Sequence, residues 1–417
     1  MALHEDVTCP LCGLGCDDLA IEADGATTSP VRTACALADG FFRRGAPAVG
    51  PRVAGKAATL DEAMDAAAER LGRSRSALIG GLAADVDGIR AALSLAERIG
   101  ATVDHGGSAA LFRNLAVLQR TGWSVTTFAE LRNRCDLLVV VGPDPTPRHP
   151  RFFERWVAPP LALLPEGARR RVVFLGGAPS AEARQQLAGV DVSEVPLAGG
   201  DLPDAIAAIR AALRGHGAEG PAAALATELR EARYGVIAWS AGQLDTLGAD
   251  LAIEAVMRLV REVDLITRCS GLPLGGMANA MGANQVCVWR TGFPLRTSFA
   301  GGTLRHDAGA LSWEHHIAEC DAALWISALG AGPPDQNPDG PLILLCGTGE
   351  EPPTEPDVLI PVGTPGIDHP GHVFRGDAVV ALRVGALVSR GLPSVETVLQ
   401  GIEARIASVP AAGGAAS

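Results

Sequence analysis

Lysine is almost missing from this 417-residue chain, where Lys56 stands alone. Arginine carries the positive charge, and 47 Asp and Glu outweigh 35 Lys and Arg to leave a formal net charge of −12. That balance, with a pI near 5.3, excludes the dense cationic surface that nucleic acid or an anionic membrane requires. Aromatic residues are 4% of the chain and Tyr234 is the only tyrosine. A surface for stacking bases or sugars is therefore not expected. No apolar run reaches the length of a membrane span, and the start Met-Ala-Leu-His-Glu-Asp has neither a basic n-region nor an apolar h-region. A cytoplasmic location is expected. Also missing are the dinucleotide G-x-G-x-x-G, the P-loop and the nucleophile elbow G-x-S-x-G; Ser240-Ala-Gly and Ser298-Phe-Ala-Gly do not fit the last. Nicotinamide, ATP and serine-hydrolase chemistry find no support. There is no internal repeat, and nine cysteines, an odd and unevenly spread set, do not form a disulfide framework.

What is present is a hydrophobic content of 47% with 50 Gly and 29 Pro, the composition of a loop-rich α/β protein of two or three domains. Near the start, Cys9-Pro-Leu-Cys12-Gly-Leu-Gly-Cys16-Asp-Asp18 is followed by Cys35. A zinc ribbon usually repeats a two-residue knuckle. Spacings of two, three and eighteen residues suit a [4Fe–4S] cluster better, with three thiolates on one loop and a distant fourth. Gly13 and Gly15 let the loop curl around the sulfurs. Structural zinc, or four small buried thiols packing as hydrophobes, are the alternatives. Asp17 and Asp18, beside this loop, read as caps of backbone amides.

After a Gly/Pro-rich link from Gly45 to Gly55, strand and helix signals alternate. Ala77–Leu82 reads as a buried strand, followed by a helix capped by Asp85, with Val86, Ile89, Leu93 and Ala96 on its apolar face and Gly100 as its stop. Asp136–Gly142 is apolar on both faces, as a central parallel strand must be, and Arg171–Gly177 repeats it. A helix through Leu202, Ile206, Ile209 and Leu213 follows, then strand Tyr234–Ser240 and a helix from Leu251 to Val260. Leu324–Ser327, Pro341–Gly347 and Val358–Val362 are further short strands, and Cys287 reads as a core strand position. Ligands in open α/β sheets sit beyond the strand carboxyl ends, here Gly80-Gly81, Gly142–Pro150, Gly176–Ser180, Ser240–Gln243 and Gly347–Glu351. The tail Ala411–Ser417 reads as frayed.

Several motifs recur in one order over nearly the whole chain: the cysteine start with Cys-Asp-Asp, Thr127-Phe-Ala-Glu-Leu-Arg-Asn-Arg134, Gly142-Pro-Asp-Pro-Thr-Pro-Arg-His149-Pro150-Arg151, Asn284-Gln-Val286, Trp289-Arg-Thr-Gly-Phe-Pro294, and Ile367-Asp-His369-Pro-Gly-His372-Val-Phe-Arg375. In these the chain resembles the molybdopterin oxidoreductase superfamily, most of all the family of the formylmethanofuran dehydrogenase B-subunit and its counterpart in the methylotroph formyltransferase/hydrolase complex. The resemblance implies two doubly wound α/β domains plus a small N-terminal cysteine-cluster lobe. The expected division is 1–55 for that lobe, 56–135 with 306–417 for one domain, and 136–305 for a domain inserted into it.

In redox-active relatives a cysteine or selenocysteine metal ligand and then a histidine stand in a segment resembling Asp-x5-Cys-His-x7-Gln. The matching stretch here runs from Asp104 to Gln119 and carries Ala110 at the ligand position and Leu111 at the histidine position. A methyl group has no lone pair for molybdenum or tungsten. The family arginine, counted back from Asn284, falls at Gly275. No molybdopterin is expected. The resemblance then implies a catalytically silent, non-redox scaffold in a complex that takes formaldehyde-derived one-carbon units to formate on a methanofuran-type carrier. Its partners would be an amidohydrolase-like hydrolase subunit, a formyltransferase subunit and a third subunit. A redox-active dehydrogenase B-subunit with a molybdenum- or tungsten-pterin and a [4Fe–4S] cluster is the alternative, and a stand-alone metal-binding or electron-carrier protein is a third reading. His105 as a replacement ligand and His315-His316 as a metal pair are weighed and set aside as structural, since adjacent helical residues diverge by about 100°. His149, His369 and His372 are expected near strand ends, as satisfied polar residues.

Overall fold

The computed structural model describes residues 1–45, 50–159, 161–164, 169–197, 201–216, 219–244, 248–347 and 355–408. Part of the Gly45–Gly55 link, most of the Gly347–Glu351 turn and the tail lie outside the described residues. Two compact units emerge, Met1–Ser108 with Gly276–Ser417, and Ala109–Gly275.

The Ala109–Gly275 unit is built on five parallel strands in the order Asp191–Val195, Arg171–Leu175, Leu137–Val141, Tyr234–Ser240, Arg268–Leu274. All seven residues of the Tyr234 strand and all five of the Leu137 strand are buried, which is why neither alternates in sequence. Helices Leu202–Leu213, Pro221–Glu231 and Ala249–Asp264 pack Ile206, Leu229 and Val256 into the same core as Val139 and Ile237. Arg170 is buried before the Arg171 strand and donates to the carbonyls of Leu131, Arg132, Cys135 and Val157. One guanidinium thus satisfies four backbone acceptors that would otherwise be stranded.

The other unit contains a nine-stranded mixed sheet. Its parallel centre runs Thr102–Val103, Ala77–Ala83, Ala322–Ser327, Leu342–Cys346, Val358–Pro361, and short antiparallel strands extend both edges. Helix Val86–Ile99 starts at Asp85, whose carboxylate accepts from the Gly88 amide, and stops at Gly100 in the left-handed conformation, as its sequence signals require. An antiparallel meander of Ala2–Val7, Leu19–Asp24 and Thr27–Arg32 carries the cysteine loop between its first two strands.

The unit boundaries fall at 108/109 and 275/276, where the sequence suggested 135/136 and 305/306. Residues 109–135 belong with the five-stranded sheet because Asn114 accepts from Trp239 Nε1 at 2.9 Å and Thr126 accepts from the Tyr234 hydroxyl at 2.6 Å. Residues 276–305 belong with the nine-stranded sheet, to which they give strand Thr297–Ser298. The meander has no unit of its own, and Arg52–Val53 pairs directly with the Val358 strand of the large sheet. Cys287 is buried in helix Ala280–Thr291, not in a strand. The Asn-Gln-Val-Cys-Val-Trp run is two polar residues followed by four apolar ones, too short to separate the two periods.

Candidate functional site

The cysteine loop is closed by a 2.8 Å hydrogen bond from the Cys9 amide to the Cys16 carbonyl. Gly13 and Gly15 have φ of 77° and 68°, where a side chain is strained. A Cβ on Gly15 would also stand 3.0 Å from Leu382 Cδ1. The loop is tied down from outside by the Ala278 amide on the Leu11 carbonyl at 2.8 Å and the Gly376 amide on the Gly13 carbonyl at 2.7 Å. Cys9, Cys12 and Cys16 are buried and Cys35, at the start of helix Ala36–Phe42, is half-buried. Burial pushes the Cys9 thiol well above its ordinary range, and the Cys12, Cys16 and Cys35 thiols push it further. Cys9 therefore senses the other three thiols, and a soft cation is what would let it ionise. The donor chemistry suits iron or zinc. Among the described residues, however, no group of three or more His, Cys, Asp or Glu side chains is arranged to hold a metal ion, so the thiols would have to close further to bind one.

In the same unit Asp104 is fully buried. Its Oδ1 accepts from the His105 amide at 2.9 Å, and its Oδ2 accepts from Ser108 Oγ at 2.8 Å and from the Trp313 amide at 2.9 Å; Arg296 Nε lies 3.3 Å from Oδ2. Burial pushes this carboxyl up to about 7 against the pull of Arg296 and the amides. His105 Nδ1 accepts from the Gly107 amide at 2.8 Å, so the ring proton sits on Nε2 and is donated to the Ala278 carbonyl at 3.1 Å. Burial lowers His105 to about 4, and both nitrogens are spent. His105 is a structural residue with no lone pair for a metal.

The three positions at which the resemblance leads one to expect the redox family's centre, Ala110, Leu111 and Gly275, all lie in the Ala109–Gly275 unit. Ala110 and Leu111 sit half-buried in the first turn of helix Ser108–Thr121, and Ala110 packs against the unit's core. No heavy atom lies within 4 Å of where a Gly275 Cβ would be. A methyl, an isobutyl and a hydrogen offer no ligand, no proton acceptor and no cation. His149 is in this unit, 1% exposed and lowered by burial to about 4, with a hydrogen bond to the Gly275 backbone pulling the other way. His369 and His372 are in the other unit. His369 contacts the Pro370 and Gly363 carbonyls at 2.9 and 3.3 Å, and His372 is exposed. His315 is exposed and His316 buried on helix Trp313–His316, so the pair diverges as its helical spacing requires. The Asp104–Arg296 pair carries no local sequence signal. Only the pairing of chain segments far apart in sequence reveals it.

No protein-family model matches the chain. It is 33% identical over 319 residues, 75% of its own length and 85% of the relative's, to the B-subunit of the formyltransferase/hydrolase complex Fhc of Methylorubrum extorquens. The chain belongs to the family of formyltransferase/hydrolase complex B-subunits. The B-subunit of tungsten-containing formylmethanofuran dehydrogenase 2 of Methanocaldococcus jannaschii is 26% identical over 400 residues, 90% of this chain and 91% of that protein. In structure the chain matches the crystal structure of the Methylorubrum extorquens formyltransferase/hydrolase complex, solved with methylofuran, at a TM-score of 0.76 and 30% identity, covering 86% of this chain and 99% of that one. The mixed α/β fold of this family member is thus the fold of a chain in that complex. No helix among the described residues is long and apolar enough to cross a membrane.

Proposed function

We propose that this chain is a non-redox, catalytically silent scaffold of a formyltransferase/hydrolase complex acting on a methanofuran-type carrier. The observation that carries the proposal is the triple replacement at Ala110, Leu111 and Gly275, inside a fold shared at TM-score 0.76 with a chain of such a complex. In this reading the architecture is that of a molybdopterin oxidoreductase with a small N-terminal cysteine lobe, kept for assembly after its chemistry was lost. An amidohydrolase-like subunit hydrolyses the formylated carrier, a formyltransferase subunit loads it, and a third subunit completes the cytoplasmic assembly. Cys9, Cys12, Cys16 and Cys35 then hold a structural [4Fe–4S] cluster or zinc, since four thiols left bare would raise one another's cost of ionisation. The dehydrogenase alternative needs a metal ligand that Ala110 cannot be.

The test is to purify the native chain with whatever accompanies it and assay N-formyl carrier hydrolysis with and without an artificial electron acceptor. Hydrolysis independent of acceptor, in a preparation holding the hydrolase and formyltransferase subunits, is expected. Acceptor-dependent oxidation, or a chain that purifies alone, would contradict the reading.

A further inference from the structure

Helix Ala280–Thr291 has one charged residue, Arg290, among its 12, and Glu97 neutralises that one at 2.8 Å. A helix without a polar face belongs in an interior, and its inner side accordingly buries Ala283, Val286 and Cys287. The outer side has no such cover: Val288 is exposed and Trp289 is 62% exposed. Trp289 is nonetheless held in place, edge-on to Phe374 with ring centroids 5.6 Å apart. Phe374 lies on the hairpin of strands Gly371–Phe374 and Ala381–Val384, where it pairs with Ala381 and where His372 pairs with Arg383. Alternation puts these four residues on one face. His372, Ala381 and Arg383 are exposed there, while Val373 and Val384 are buried on the other face. One surface thus runs from a bare indole across the hairpin to an imidazole and a guanidinium. The chain carries 47 Asp and Glu and a net charge of −12, yet the segments that build this surface expose no carboxylate. No acid stands between Asp264 and Asp307, and from His369 to Val395 the only one is Asp377, whose fully buried side chain meets Arg375 at 2.7 Å. Aromatic residues and arginine without Asp or Glu are the composition of the centre of a protein–protein contact.

We propose that this surface docks a neighbouring protein subunit of the same assembly, apolar where it receives Trp289 and acidic where it meets His372 and Arg383. Trp289, preset by Phe374, is the anchor, since a rigid aromatic loses little freedom on being covered. Arg383 pairs with a carboxylate of the partner, and the lack of acids on this side spares an acidic partner like-charge repulsion. A two-fold contact with a second copy would bring the same patch to both sides and leave Arg383 without a carboxylate to meet. That the occupant is another subunit rests on the proposed function; its apolar centre and acidic rim rest on this surface alone.

The experiment replaces Trp289 of the full chain with the photo-cross-linker p-benzoylphenylalanine, and irradiates the complex purified from the source cell. Expected is an adduct with one stoichiometric, co-purifying subunit, at a peptide that carries Asp or Glu beside apolar residues. Mass photometry on dilution of the Trp289→Ala complex should show that subunit held about thirtyfold more weakly, with Trp289→Phe close to the parent. Arg383→Glu, an exposed position that leaves the Trp289–Phe374 contact in place, should also weaken it, and by less as salt is raised. No adduct in an assembled complex, an adduct with a second copy of this chain, a basic partner peptide, or variants that dissociate like the parent would overturn the surface. The hydrolysis assay on the same samples tests the functional reading separately. An assembly that hydrolyses the formylated carrier without an adduct at position 289 retires the surface and leaves that reading; a cross-linked partner without hydrolysis retires the reading and leaves the surface.

Discussion

His105 Nε2 donates to the Ala278 carbonyl at 3.1 Å while the Ala278 amide donates to the Leu11 carbonyl of the cysteine loop at 2.8 Å. One residue, with φ of 48°, thus joins the Asp104–Ser108 segment to the loop that carries Cys9, Cys12 and Cys16. His105→Ala takes the side-chain partner from the half-buried Ala278 carbonyl and from the Gly107 amide and empties a fully buried ring site. A loss of about 2–4 kcal/mol in unfolding free energy is expected, read by chemical denaturation. Ala278→Gly relieves the left-handed strain, and is expected to be neutral or stabilising by up to about 1 kcal/mol, against the usual direction for Ala to Gly.

Gly15→Ala adds a methyl 3.0 Å from Leu382 at a φ of 68°, whereas Gly25→Ala, at φ of 59°, meets nothing within 4 Å. Each carries about 1 kcal/mol of backbone strain, but Gly15→Ala should lose about 1–3 kcal/mol more through overpacking. Thermal unfolding of the pair isolates the packing contribution at the cysteine loop.

The pH dependence of stability has a fixed sign. His105 and His149 are lowered by burial to about 4 from 6.5, so their contribution is fully present above 6.5 and is lost as pH falls toward 4. Asp104 is raised to about 7 from 3.8, so its contribution is full below 3.8 and is lost as pH rises through 7. Between pH 4 and 6.5 two protons favour the unfolded chain and one the folded, and net stability should climb with pH across that window. Urea unfolding at half-unit steps, with His149→Gln flattening the slope, checks the assignment.

Much of the scaffold was legible because parallel strands buried on both faces write continuous apolar runs. Tyr234–Ser240 matches its expected bounds, and the Asp85 cap and Gly100 stop frame their helix. Cys287 misled because six residues do not separate a helical from a strand period. The unit boundaries were hidden because contacts such as Asn114 to Trp239 join residues 125 positions apart, which no local pattern announces. At the candidate site, the proposed replacements at Ala110, Leu111 and Gly275 rest on comparison with a family motif and not on any pattern within this chain. Arg296, which holds Asp104 from 192 positions away with φ of 61°, was not readable at all. His105 had the chemistry of a ligand in sequence and lost it to a Gly107 amide and an Ala278 carbonyl.

If the four cysteines hold a metal, removing it should loosen the segment they share with Ala278 and Gly376. Prolonged chelation of the purified complex is then expected to lower the unfolding midpoint of this chain while leaving the hydrolytic activity of an already assembled complex in place. Differential scanning calorimetry alongside the hydrolysis assay separates these two effects.

Elemental analysis of the native complex tests most directly whether the oxidoreductase centre is gone from Ala110, Leu111 and Gly275. Molybdenum, tungsten, iron and zinc measured per chain, with pterin assayed by fluorescence after oxidation on the same sample, should give no molybdenum, no tungsten and no pterin. Stoichiometric molybdenum or tungsten with bound pterin would contradict the loss of that centre.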